Sequence, residues 1–175
     1  MSPLVMPDAK VTQLKPELEQ LFREHSQMLY CTAFSMLGNT ADAEDVLQTL
    51  FLRLLRRELL PDLKTNPKGY LYRAVVNLSI NLIRARKREE LTGDNARLDT
   101  PVDTSASDAA EAAARRLTEA IAELSPADAQ IIILRYIHKH SDAEIARMLG
   151  VSRGTLAMRL FRSRRRLKKL MGEDQ

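Results

Sequence analysis

The sequence predicts an all-α protein of two small helical domains, the second of which contains a helix-turn-helix. Three observations support this class. Glycine is scarce, at 6 of 175 residues, whereas good helix formers such as Ala, Leu, Arg and Glu are abundant. Apolar residues recur at helical spacing in several segments, and one polar, acidic segment interrupts them. With 45% apolar and 29% charged residues, the chain is neither wholly disordered nor embedded in a membrane.

Three amphipathic helices are predicted in the first domain, over residues 16–36, 42–57 and 70–88, with a proline-containing loop at 61–69 before the third. The second helix has the clearest pattern, because its apolar residues follow i, i+3, i+4, i+7 spacing. The third helix has an apolar stripe of Leu71, Ala74, Val75, Leu78 and Leu82. Its other side carries a row of polar and cationic residues headed by an aromatic ring, namely Tyr70, Arg73, Asn77, Asn81, Arg84 and Arg88.

The second domain is predicted to begin near Ala109, and its helix starts are signalled by capping residues. Ser125 followed by proline and, at the third position, Asp128 marks one start, and Ser141 with Glu144 forms a capping box at another. A turn at Gly150 then leads to Ser152, a cap for the last helix. Two helices joined by a short glycine-containing turn are typical of a helix-turn-helix. The inward residues of the helix after Ser125 are predicted to be Ile131, Ile132, Leu134 and Ile137.

Charge is distributed unevenly along the chain. Residues 89–111 carry one basic and seven acidic side chains, whereas 153–175 carry eight basic and two acidic ones. A second basic cluster, formed by Arg84, Arg86, Lys87 and Arg88, lies just before the acidic segment. Two cationic segments around an acidic spacer favour contact with nucleic acid at two places.

The last helix is predicted to present a DNA-reading face. With about 100° per residue, Leu156, Leu160, Ser163, Leu167 and Leu170 form one buried seam. Arginines on the opposite face can pair with guanine and apolar side chains can meet thymine methyls, while flanking arginines suit phosphates. The predicted DNA contacts are Arg153, Thr155, Met158, Arg159, Phe161, Arg162 and Arg165.

Enzymatic and metal-binding alternatives have little support in the sequence. His138, His140 and Asp142 could in principle hold a metal, but histidines in a loop beside a helix-turn-helix are more often solvated. Cys31, the single cysteine, is expected to be a small buried hydrophobic residue. No nucleophile–base pair or paired carboxylates have a convincing spacing. We therefore expect no catalysis, no cofactor and no metal.

Four motifs in order resemble the sigma-70 family of RNA polymerase sigma factors, specifically the group-four, extracytoplasmic-function (ECF) type. Residues 42–56 (DAEDVLQTLFLRLLR) and 67–77 (PKGYLYRAVVN), followed by the 84–88 cluster, resemble sigma region two. Residues 124–136 (LSPADAQIIILRY) and 144–164 (EIARMLGVSRGTLAMRLFRSR) resemble region four. The resemblance covers residues 18–170 and implies a factor that directs core RNA polymerase to promoters in a stress or signal response.

The resemblance assigns a role to each part of the chain. Residues 1–90 would bind core polymerase and recognise and melt the minus-ten element, 91–110 would be a flexible acidic linker, and 111–175 would recognise the minus-thirty-five element. Contact with the β′ clamp of the polymerase would involve Glu44, Asp45, Gln48 and Arg53. The row from Tyr70 to Arg88 would face the opened strand, and a flipped base would lie near the loop at 64–68. Further expected partners are the polymerase β flap, promoter DNA and an anti-sigma factor.

This chain departs from the family pattern at several positions that matter for promoter reading. Tyr70 stands where the family usually has tryptophan, and Asn81 where it often has aspartate. Ala157 and Met158 replace residues that are often basic or small and polar. The promoter preference of a relative is therefore not transferable to this chain.

A conventional helix-turn-helix regulator with an N-terminal sensing or dimerising domain is the alternative function. It accounts for the second domain but not for the helix at 42–56 joined to the row at 70–88. The sequence shows neither a signal peptide nor an apolar run of about 18 residues, so a cytoplasmic location without membrane insertion is expected.

Overall fold

A computed structural model describes the backbone of residues 9–56, 61–92 and 105–172. Every regular element in these ranges is helical, which confirms the predicted class. The first domain comprises α1 (Ala9–Leu37), α2 (Thr40–Leu55), α3 (Pro61–Thr65) and α4 (Pro67–Thr92). The second comprises α5 (Ser105–Ala122), α6 (Pro126–Ile132) with a π-helical continuation (Ile133–Ile137), α7 (Asp142–Leu149) and α8 (Arg153–Met171).

The predicted serine caps start their helices in the structure, and one further cap was not predicted. That cap is Asn39, which starts α2 by accepting from the Asp42 amide at 2.9 Å. Ser125 caps α6, and Ser141 with Glu144 forms the capping box of α7. Gly150 ends α7 with a φ of 66°, a left-handed conformation that suits glycine because it has no Cβ.

Some predicted boundaries differ from the structure. The segment 61–69, predicted as a loop, contains helix α3 and the first turn of α4, so Lys64 and Lys68 lie on helices. Helix α1 continues through Pro16 rather than beginning there. Helix α5 begins at Ser105, inside the predicted linker, because its alanine-rich sequence favours helix over the polar residues around it. The rest of that linker, 93–104, lies outside the described residues.

The inward face predicted after Ser125 is wrong at its last residue. Ile131, Ile132 and Leu134 are buried, but Ile137 is exposed. The Ile133–Ile137 segment is a π-helix, in which the His138 amide bonds back to the Ile133 carbonyl at 3.1 Å. A π-turn holds more residues than an α-turn, so side chains beyond it rotate away from the face that a period of 3.6 predicts. Two further inward predictions are wrong. Leu117, whose spacing places it on one stripe with Ala120, Ile121 and Leu124, is exposed, and so is Leu170 of the predicted seam of the last helix.

Two hydrophobic cores meet on α4. The first joins α1, α2 and α4 through buried residues that include Leu29, Leu50 and Leu71. The second lies among α5 to α8 and also contains Tyr72, Val76 and Ile80 of α4. Helix α4 therefore packs against both domains, and the described parts of the two domains form a joint core.

Candidate nucleic-acid interface

Helix α8 is held against α5, α6 and α7 and leaves the side opposite its buried seam exposed. Leu156, Leu160 and Ser163 are buried, as predicted, and Ser152 caps the helix by accepting from the Thr155 amide at 3.1 Å. The predicted contact residues are all exposed: Arg153, Thr155, Met158, Arg159, Phe161, Arg162 and Arg165. Met158 is 55% exposed and Phe161 is 66% exposed.

The exposed surface of α8 is strongly cationic. Its sequence from Arg153 to Met171 contains eight basic and no acidic residues. Two large apolar side chains, Met158 and Phe161, face solvent among these arginines. An arginine-rich helix with exposed apolar side chains has the composition that major-groove reading requires.

The row on α4 also lies on one face, as predicted. Asn77, Asn81, Arg84 and Arg88 are exposed, while Tyr70 and Arg73 are partly buried. Leu71 and Val75 lie on another face of the same helix, in the first core, and fix its orientation. The row therefore presents one aromatic ring, amides and guanidinium groups along one helix face, which suits an unpaired strand.

The second domain contacts this row near its middle. Arg84 donates from Nε to the Ala122 carbonyl at 2.9 Å and from Nη2 to the Leu124 carbonyl at 3.1 Å. Gln130 donates from Nε2 to the Asn77 side-chain oxygen at 3.3 Å. Two members of the predicted DNA-facing row thus also bind the other domain.

The outward face of α2 carries the four residues predicted to contact the polymerase. Glu44, Asp45, Gln48 and Arg53 are all exposed, while Val46 and Leu50 point into the first core. Leu52 lies on the same outward side and is 50% exposed. This side of α2 therefore combines one exposed leucine with charged and polar side chains.

Comparison with known proteins decides the family. The model described as sigma-70 region 2 matches residues 21–89, and that described as sigma-70, region 4 matches residues 114–167. The ECF RNA polymerase sigma factor SigL of Mycobacterium tuberculosis is 30% identical over 89% of each chain. The RNA polymerase sigma-E factor of Streptomyces coelicolor is 32% identical over 87% of this chain and 84% of its own.

The chain belongs to the ECF type of the sigma-70 family. It is therefore a sigma factor, a transcription initiation factor rather than an enzyme, and it works with RNA polymerase at promoter DNA. Among solved structures, the sigma factor RpoE from Bartonella quintana, in complex with the anti-sigma factor NepR, is 22% identical with a TM-score of 0.47. That match covers 91% of this chain and 99% of RpoE.

A second apolar stripe on α4 of this sigma factor was not predicted from the sequence. Tyr72, Val76, Ile80 and Ile83 follow helical spacing and lie in or against the second core. The Tyr72 hydroxyl donates to the Gln130 carbonyl at 3.0 Å, and burial raises the pKa of this phenol. The helical spacing of these residues is present in the sequence. When a helix has apolar residues on two faces, however, the spacing does not identify the segment that covers each face.

Two further expectations about single residues of the sigma factor are wrong. Cys31 is exposed rather than buried. His138, expected to be solvated, lies between the domains with its Nε2 at 2.9 Å from the Thr32 hydroxyl oxygen. Because that hydroxyl donates to the Met28 carbonyl at 2.7 Å, it accepts from the histidine. Among the described residues, no group of three His, Cys, Asp or Glu side chains could hold a metal ion, and no helix could span a membrane.

Acidification is expected to weaken the contact between the two domains of this sigma factor. Burial, with a smaller contribution from the nearby His140, lowers the pKa of His138 from its ordinary value of 6.5. Near and below pH 6.5, the separated domains therefore bind more protons than the packed domains. The contact between the domains is fully stabilised only above this pH and weakens as the pH falls below it. The measurement is the radius of gyration by small-angle X-ray scattering between about pH 7.5 and about pH 5.5.

His138→Gln is the control for this titration. The glutamine amide can still donate to Thr32 but does not titrate in this range. His140, whose Nδ1 lies 3.8 Å from the Glu144 carboxylate, is unchanged in both proteins. An equal expansion of both proteins at low pH would show that His138 is not the group responsible.

Proposed function

We propose that α8 of this sigma factor reads the minus-thirty-five element and that the α4 row binds the opened minus-ten strand. The observation that carries the proposal is the separation of the two cationic faces onto two domains, each with its own exposed side chains. The predicted domain limits, residues 1–90, 91–110 and 111–175, form part of this proposal. Base contacts by Met158, Phe161, Arg162 and Arg165 and phosphate contacts by Arg159 fit the exposure of these residues on α8.

The outward face of α2 is the proposed binding site for the β′ clamp of core polymerase. Glu44, Asp45, Gln48 and Arg53 supply polar contacts around Leu52, so the surface combines an apolar centre with a charged rim. Contact of the second domain with the β flap, a cytoplasmic location and an anti-sigma partner complete the proposal, as the family resemblance implies.

The test is transcription from a genomic promoter library by purified core RNA polymerase with and without this protein. New start sites that share two spaced elements are expected. Arg162→Ala on α8 should then reduce initiation by an amount that depends on the sequence of the upstream element. Asn81→Ala in the α4 row should reduce initiation by an amount that depends on the sequence of the downstream element. Loss of preference at the opposite element in either variant would contradict the assignment of the two faces.

Leu52→Ala is expected to weaken binding to core polymerase about tenfold, which corresponds to about 1.4 kcal/mol. The side chain is half exposed, so its truncation removes little from the folded protein but takes an apolar contact from the proposed interface. The measurement is competition for core polymerase against a labelled wild-type protein. Leu91→Ala, at a leucine that is 79% exposed elsewhere, is the matched control. Equal affinities of the two variants would place the clamp contact on another surface.

A further inference from the structure

The proposed DNA-reading face of α8 has two halves of different chemistry. With about 100° per residue, the exposed side chains within about 60° of Met158 around the helix axis share this face. The residues nearer the N-terminus of the helix are uncharged, and they are Gly154, Thr155, Met158 and Phe161. The residues nearer the C-terminus are all cationic, and they are Arg162, Arg165 and Lys169. The two halves therefore suit different base edges.

The hydroxyl group in the uncharged half is already bonded within the helix cap. Thr155 Oγ1 lies 2.8 Å from Ser152 Oγ, and the Thr155 amide donates to the same serine oxygen at 3.1 Å. Gly154 has no side chain that could contact a base. Base reading by this half therefore depends on its two apolar side chains, Met158 and Phe161.

Met158 is the central side chain of the uncharged half. Phe161 lies about 60° to one side of it around the helix axis, and Thr155 lies about 60° to the other side. The methionine side chain is unbranched and has three rotatable bonds, so its end can fit against a flat apolar group. Its thioether is at most a weak hydrogen-bond acceptor. Contact with a base is therefore apolar.

Thymine is the base that offers an apolar group in the major groove. Guanine, cytosine and adenine present hydrogen-bond donors or acceptors there, whereas thymine also presents its C5 methyl group. An apolar side chain that displaces water from a polar base edge leaves that edge without a hydrogen bond, which costs free energy. The uncharged half therefore favours a T·A pair, while an arginine of the cationic half favours guanine.

We propose that Met158 selects a thymine in the minus-thirty-five element by packing against its C5 methyl group, with Phe161 beside it. Met158 and Arg162 are separated by about 6 Å along the helix axis, so this thymine lies within about three base pairs of a guanine read by Arg162. The inference rests on the proposed role of α8 in reading this element, and it adds the base that one residue selects.

Deoxyuridine tests the methyl contact, because it pairs as thymine does and lacks only the C5 methyl group. The duplex carries the minus-thirty-five element of a promoter found by library transcription, and each thymine of either strand is replaced in turn. Affinity of the full chain is measured by fluorescence anisotropy at fixed salt concentration. One replacement is expected to weaken binding about three- to fivefold, the effect of removing one buried methyl group.

Met158→Ala identifies the side chain that detects the methyl group. This variant should bind the thymine and deoxyuridine duplexes equally. Met158→Leu keeps an apolar side chain of similar volume and should retain most of the difference between the two duplexes. Leu170→Ala shortens an exposed apolar side chain on another side of α8, so it is the matched control and should retain the full difference. An undiminished difference in Met158→Ala would overturn the proposal.

5-Methylcytosine offers the same methyl group in a different base pair. When the selected T·A pair is changed to C·G, 5-methylcytosine at that position should strengthen binding by the wild type about three- to fivefold relative to cytosine. Met158→Ala should not respond to this methylation. An equal response by both proteins would assign the methyl contact to another residue.

Arg162→Ala separates this proposal from the assignment of α8. If Arg162→Ala weakens binding while no deoxyuridine replacement does, α8 reads the element but Met158 does not select a thymine. An element without any T·A pair would contradict the proposal in the same way. If Arg162→Ala, Met158→Ala and every deoxyuridine replacement leave the affinity unchanged, the assignment of α8 itself is wrong.

Discussion

Arg162→Ala is expected to weaken binding to a duplex containing the minus-thirty-five element by about 1–3 kcal/mol, or about 5- to 150-fold. Arg162 is exposed on the side of α8 away from its buried seam, where a guanidinium group can pair with a guanine edge through two hydrogen bonds. The duplex is taken from a promoter found by library transcription, and affinity is measured by fluorescence anisotropy at fixed salt concentration.

Two variants separate base reading by Arg162 from simple loss of charge. Arg162→Lys keeps the positive charge but not the planar, two-pronged donor, so it should recover only part of the affinity. Arg56→Ala removes one exposed positive charge from the other domain and should leave binding to this duplex unchanged. Wild-type affinity in Arg162→Ala would show that another face of α8 enters the groove.

Leu156→Ala is expected to lower the free energy of unfolding by about 2–5 kcal/mol. Leu156 is fully buried where α8 packs on α6 and α7, so the shorter side chain leaves a cavity in the second core. The measurement is urea denaturation followed by circular dichroism, and initiation should fall with the folded fraction because α8, the proposed DNA-reading helix, loses its support.

Met158→Ala on the same helix is the control for the cavity. Its side chain is 55% exposed, so truncation should change the free energy of unfolding by no more than about 0.5 kcal/mol. Promoter affinity per folded molecule should show the reverse order. Met158→Ala should bind more weakly than Leu156→Ala, because only Met158→Ala removes a proposed base contact. Equal loss of stability in both would mean that α8 is not packed through the Leu156 seam.

The sequence alone determined the helical class, the helix starts and the outward face of α8. These features depend on local chemistry: a serine or asparagine cap bonds to an amide two or three residues away, and a helical period fixes which residues share a face. That is why Ser125, Ser141 and Ser152 cap the helices they were predicted to cap. The order of the motifs was sufficient to predict the sigma factor family, which the comparisons confirm.

Only the tertiary structure decided how the two domains meet. The π-helical segment places Ile137 on the exposed side. The second apolar stripe on α4, formed by Tyr72, Val76, Ile80 and Ile83, packs against the other domain. The positions of Arg84, Asn77 and His138 between the domains depend on contacts with residues 38 to 106 positions away along the chain. Helical periodicity describes one helix at a time, so it places a residue on a face but does not identify the distant segment that covers it.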